Sequence, residues 1–260
     1  MTPFQHEISA GDCLATPPTV TFLPDAKPMA IEMKHSGLVI VAGAGEGLGH
    51  ALLRRFAADG YRAIGLCRTL PDGVPSGYEL VATDLADYTE VHKVVGAAIA
   101  THGAPRVVIH NPAELVIRPF LEISGEDFER CWRSMVLAAV YIGQATLQPM
   151  VRANGGAFIV SGATASLRGG ARFAAFASAK FALRGLTQSL AREFQPMGIH
   201  VAHVVIDGIL DTERSRSLHG LDPERMLNTD DVADAYWTLA HQPRSAWTHE
   251  MDIRPMTESF

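Results

Sequence analysis

The sequence predicts an α/β fold: one open, doubly wound parallel sheet of about seven strands with helices on both faces. Three observations predict it. Short apolar runs alternate with helical stripes from residue 38 onward, a glycine-rich turn closes the first run, and neither an internal repeat nor a composition break divides the chain. With 260 residues, 47% of them hydrophobic, the chain can bury one large core, which excludes a small stapled scaffold and a wholly disordered polymer.

The elements follow in order. Residues 1–35 carry Pro3, Pro17, Pro18, Pro24 and Pro28 among polar residues without periodicity, so this segment is expected to be a flexible tail outside a single domain at 36–260. The run 38–42 is a strand, and Leu48, Ala51, Leu52 and Phe56 then take helical spacing. Residues 62–66 and 80–82 are the second and third strands. Val91, Val94, Val95, Ala98 and Ile99 give the i, i+3, i+4 stripe of a helix leading to a fourth strand at 106–110. A long helix over 124–150, a strand at 157–161, a helix over 174–194 and a strand at 200–206 continue the alternation. A helix at 229–241 and a seventh strand at 251–253 close it.

Composition narrows the partners. The formal net charge of -6 gives no bulk electrostatic drive toward nucleic acid or anionic lipid, so a small-molecule substrate is the expected partner. Cys13, Cys67 and Cys131 form no C-x-x-C pair, which points away from a disulfide framework or a zinc site and toward a reducing cytoplasm. No run reaches about 18 uninterrupted apolar residues, and the N-terminus lacks a basic start followed by an apolar stretch, so neither a membrane span nor a secretory signal is expected.

In an open parallel sheet the ligand crevice lies beyond the carboxyl ends of the strands. The first such turn contains Gly43, Gly45, Glu46, Gly47, Leu48 and Gly49. Glycines let a backbone approach a pyrophosphate, and the helix that follows presents unpaired N–H groups to the anion. This is a Rossmann-like arrangement. The spacing Gly43-x-x-x-Gly47-x-Gly49 resembles the short-chain dehydrogenase/reductase family, and the resemblance runs over almost all of 37–255. Asp84 and Leu85 fall where that family contacts adenine. His110, Asn111, Pro112 and Ala113 fall at its Asn-Asn-Ala-Gly motif, of which only Asn111 is kept. Phe176-x-x-x-Lys180 falls at its Tyr-x-x-x-Lys, and Asp207-Gly208-x-x-x-Thr212 at its Pro-Gly-x-x-x-Thr.

The resemblance implies a nicotinamide dinucleotide, and the end of the second strand bears on which one. Members that use NAD place an acidic residue there, whereas this chain has Cys67 followed by Arg68, a guanidinium able to pair a 2′-phosphate. NADP(H) is therefore expected over NAD(H), although Glu46 argues mildly the other way. The family's proton-transfer groups are a tyrosine, a serine, an asparagine and a lysine. Their positions here are Phe176, Ala163, Val136 and Lys180, so only the lysine is kept, in a cofactor-orienting role. Ser161, Thr164 and Ser166 remain as alternative hydroxyls. His110, expected at a strand end facing the crevice, is a candidate proton carrier, with Glu114, Arg118, Tyr141 and Asp207 as further candidates.

Residues 208–227 fall at the family's substrate lid, where Arg214, Arg216, His219 and Arg225 could meet an anion or simply be solvated. Trp237 and Trp247 are expected to anchor a core or interface, and the family implies a homodimer or homotetramer. Two other readings share the fold: a catalytically silent NADP(H)-binding sensor or structural subunit, and a non-redox lyase or isomerase.

Overall fold

Side chains of successive strand residues point to opposite faces, and here both faces are apolar, so every central strand reads as a continuous hydrophobic run. The computed structural model describes residues 36–73 and 76–258. The expected tail at 1–35 lies outside the described residues. The strands are β1 (Leu38–Ala42), β2 (Arg62–Cys67), β3 (Glu79–Ala82), β4 (Pro105–His110), β5 (Gly156–Ser161), β6 (Ile199–Ile206) and β7 (Glu250–Ile253). They form one sheet in the order β3-β2-β1-β4-β5-β6-β7, with every neighbouring pair parallel.

The helices are α1 (Leu48–Ala58), α2 (Tyr88–His102), α3 (Gly125–Cys131), α4 (Ala138–Arg152), α5 (Ala174–Phe194), α6 (Glu213–His219) and α7 (Thr229–Ala240). Val39, Val41, Val107, Ile109, Ile159 and Val204 pack with α1 and α7 on one face. Leu38, Ile40, Val108, Phe158, Val160 and Val201 pack with α2, α4 and α5 on the other. Sequence sets the helix starts as well: the Asp87 carboxylate accepts from Glu90 N at 3.0 Å ahead of α2, and Ser124 with Asp127 makes a reciprocal capping box ahead of α3.

One expected element differs. The helix foreseen over 124–150 is interrupted by a π turn, Trp132–Leu137, between α3 and α4. At that turn the Met135 carbonyl accepts the Nε2–H of His110 at 2.8 Å, an interaction outside the helical ladder. The combined helix Gly125–Arg152 is long and apolar enough to cross a bilayer by length and composition, but its apolar face is spent on the sheet, where Ile142, Leu147 and Met150 are buried.

The chain runs outward from β1 to β3 and then returns to lay β4 on the other side of β1. Connections leaving β1 and β4 therefore diverge, and the carboxyl ends of the two strands open a crevice between them.

Candidate active site

A cavity of about 1440 Å³ opens at the carboxyl ends of the strands. Gly43, Gly45, Glu46, Gly47, Leu48 and Gly49 from the first turn line it, together with Arg68, Asp84, Leu85, Asn111, Pro112, Ala113, Lys180, Gly208 and Thr212. Sequence positions up to 169 apart are thus brought to one wall.

The glycine turn is shaped by close approach. Gly43 and Gly47 have φ of +83° and +90°, and a Cβ on either would lie 2.6 Å from Pro112 N or Thr212 Cγ2 respectively. A Cβ on Gly45 would meet nothing within 4 Å, because that residue borders open cavity. Asn111 fastens the turn, its Nδ2 donating to Gly43 O at 3.1 Å and its backbone N–H to Ala42 O at 2.8 Å. The first turn of α1 has no side-chain cap and no acidic residue, so its N–H groups are left to an anion. A backbone cradle backed by a helix N-terminus fits the pyrophosphate of a dinucleotide.

At the end of β2, Cys67 is buried on the cavity wall and burial pushes its thiol up. Arg68 beside it is 75% exposed by side chain, its Nη2 4.0 Å from Glu114 Oε2. The guanidinium is therefore accessible to a phosphate. Glu114 is held more tightly by Arg130, at 3.0 Å.

Deeper in, α5 supplies Phe176 and Lys180 one turn apart. Lys180 is 2% exposed, its Nζ donates to the Ser161 carbonyl at 2.9 Å, and it lies 5.7 Å from the centroid of the Phe176 ring. Burial pulls its ammonium down to about 8. Ala163 presents a methyl group to the same space, and the hydroxyl of its neighbour Thr164 donates to the buried carboxylate of Asp207. Asp207 also pairs with Arg254 at 3.1 Å, so it holds two segments together.

Several expectations are corrected. His110 does not face the crevice: it is fully buried, points from β4 toward Met135, and burial drives its imidazole down to about 3. A ring held neutral and walled off from solvent has no route to carry protons to the cavity. Val136 does not line the cavity either, since it packs in the core on the α4 side of the sheet. Of the alternative hydroxyls, Ser161 turns through the sheet to Tyr236, 2.7 Å away, and Ser166 folds back on Ala163 N at 3.1 Å. Arg118 is spent on Asp127 at 3.3 Å, and Tyr141 packs edge-on against Tyr88. Arg214 and His219 border the cavity, whereas Arg216 pairs with Asp211.

Sequence reasoning missed Arg133, Ser134, Arg168 and Phe173, which also border the cavity. Arg133 and Ser134 sit in the π turn, where ordinary helical spacing misassigns the face. Arg168 and Phe173 lie in the loop after β5, where only that strand's carboxyl end gave a signal. Trp237 stacks on His241 and Trp247 on His200, which makes both packing anchors.

The family model described as short chain dehydrogenase matches residues 37–220. The chain belongs to this family. Its relatives include the 3-oxoacyl-[acyl-carrier-protein] reductase MabA of Mycobacterium bovis, 30% identical over 201 residues, or 77% of this chain and 78% of that protein. Human L-xylulose reductase is 28% identical over 169 residues, 63% of this chain and 68% of its own. Among solved structures, a short-chain dehydrogenase from Rhodopseudomonas palustris is 36% identical with a TM-score of 0.72, covering 85% of this chain and 98% of its own. A closed serine dehydrogenase complexed with NADP+ shares the fold at a TM-score of 0.77 and 21% identity, over 86% of this chain and 96% of its own. As a short-chain dehydrogenase, the chain carries the family's oxidoreductase scaffold and its nicotinamide dinucleotide site.

Proposed function

We propose that this short-chain dehydrogenase is an NADP(H)-dependent reductase of a small organic substrate, working in the cytoplasm as a homo-oligomer with a non-standard active site. One observation carries the reading: a single cavity joins the glycine cradle and Arg68 to a buried lysine, over a floor where Phe176 and Ala163 offer no hydroxyl. Gly43, Gly45, Gly47 and the start of α1 would hold the pyrophosphate, Arg68 the 2′-phosphate, Asp84 and Leu85 the adenine, and Asn111 and Lys180 the nicotinamide half. The bound dinucleotide supplies or accepts hydride there.

The chain's own residues do the rest. Thr212, which caps α6 by accepting from Ser215 N at 3.1 Å, brings the lid segment against Gly47 and limits water at the mouth. Phe176 and Ala163 keep the floor dry, which strengthens any charge interaction made across it. Removing a positioned general acid typically costs roughly 10²- to 10⁴-fold in rate, so a floor without a phenol suits an activated acceptor better than a plain ketone.

The test is nicotinamide absorbance with NADPH and a panel of activated carbonyl, imine and enone compounds. Consumption of NADPH with at least one class supports the reading. Tight NADPH binding with no consumption would instead favour the silent cofactor-binding protein.

A further inference from the structure

Resting on the reductase reading above, we infer that Lys180 itself is the proton donor to the reduced substrate, acting from the buried wall of the cavity in place of a hydroxyl. The geometry isolates it for that task. Lys180 borders the cavity and is buried, and its Nζ gives one of its three protons to the Ser161 carbonyl at 2.9 Å, leaving two N–H donors. Among the described residues it forms no ion pair, so no carboxylate locks the charge in place. The apolar Phe176 ring lies across from it and can neither take the proton nor relay it.

The other groups near the floor are committed or distant. Thr164 gives its proton to Asp207, and arginine guanidinium groups do not release theirs. His219 borders the cavity from the exposed lid helix α6. The titratable groups facing Lys180 from packed elements are His110 of β4 and His203 of β6, both buried and both held neutral by burial, to about 3 and about 4. They neither neutralise the ammonium nor compete with it as donors.

The step balances. A substrate carbonyl carbon gains hydride and its C–O π pair moves to oxygen. That oxygen forms a bond to a proton of Nζ as the N–H bond breaks, leaving a neutral amine that regains a proton from solvent when product leaves. The carbonyl is reduced and the nicotinamide of the dinucleotide is oxidised. Because the ammonium is the active form and burial pulls it down to about 8, the rate falls as pH rises through that value.

Two readouts test it. The sequence has four lysines, Lys27, Lys34, Lys93 and Lys180, so lysine side-chain ¹⁵N resonances can be assigned with Lys180→Arg and titrated without any substrate. A midpoint near 8 for Lys180 is expected, and one at the ordinary lysine value overturns the inference. In turnover with ethyl pyruvate at saturating NADPH, Lys180→Arg keeps the positive charge but is expected to lose on the order of 100-fold in kcat together with the alkaline break.

Lys180→Ala should recover activity with added ethylamine, whether or not the arginine variant folds. A kcat for Lys180→Arg within about threefold of wild type, a persisting alkaline break, or no rescue by ethylamine overturns it. Wild type that binds NADPH but leaves ethyl pyruvate untouched also overturns it while sparing the cofactor assignment, whereas failure to bind NADPH removes the reductase reading and the inference with it.

Discussion

On the proposed assignment of Phe176 to the family's tyrosine position, the difference is a single oxygen, and its neighbourhood decides what adding that oxygen would do. Ala163 still offers no hydroxyl to hold a substrate oxygen, and the proton of Thr164 remains on Asp207. Groups that act as a unit are not recovered one at a time. Phe176→Tyr alone is therefore expected to raise the rate on an unactivated ketone such as cyclohexanone by less than about tenfold. Steady-state kinetics with NADPH decide this, and robust cyclohexanone reduction by the single variant contradicts the description of the floor. The family resemblance pointed to Phe176, Ala163 and Lys180, which border the cavity from the carboxyl end of β5 and from the buried face of α5. Sequence reasoning misplaced His110 and Val136. A strand buried on both faces carries no alternation to say which way His110 points, and the π turn shifts the face on which Val136 stands.

At the scale of elements, the turn between β1 and α1 and the lid segment meet at one contact. Gly47 has φ of +90°, and an added Cβ would sit 2.6 Å from Thr212 Cγ2. Gly47→Ala is expected to cost roughly 1–3 kcal/mol, through backbone strain and that overlap together. Pairing it with Thr212→Ser removes the methyl group but keeps the hydroxyl cap of α6, so the double variant should recover part of the loss while the φ strain remains. Thermal or denaturant unfolding of the two singles and the double gives the answer, and strictly additive effects contradict a direct contact. The element boundaries themselves were readable: α5 begins and ends at the residues expected, because its apolar stripe is long and uninterrupted. The π turn was not, since the hydrogen bond its Met135 carbonyl accepts comes from a distant strand residue, His110, that no local pattern points to.

For the whole molecule, two buried neutral histidines on β4 and β6 tie stability to acidity. Unfolding frees both to bind protons below about 6.5, whereas the folded chain resists protonation until about 3 at His110 and about 4 at His203. The unfolded state therefore binds more protons in this window. Their contribution is complete above about 6.5 and is lost as pH falls, at up to about 1.4 kcal/mol per pH unit for each histidine. Urea unfolding between neutral pH and pH about 4 should show a steepening loss of stability, and a flat profile contradicts the burial of these rings.

The same sheet that buries the histidines presents Arg68 at its carboxyl edge, and the proposed preference for NADP(H) rests on that guanidinium. It is accessible on the cavity wall, and the residue before it is a cysteine where an acid would repel a 2′-phosphate. The most direct measurement is calorimetric titration of wild type and Arg68→Ala with NADPH and with NADH. Wild type should bind NADPH at least about tenfold more tightly than NADH, and the variant should lose most of that ratio while keeping its NADH affinity. Equal affinity of wild type for the two nucleotides, or an equal loss for both in the variant, would contradict the assignment of this cavity to NADP(H).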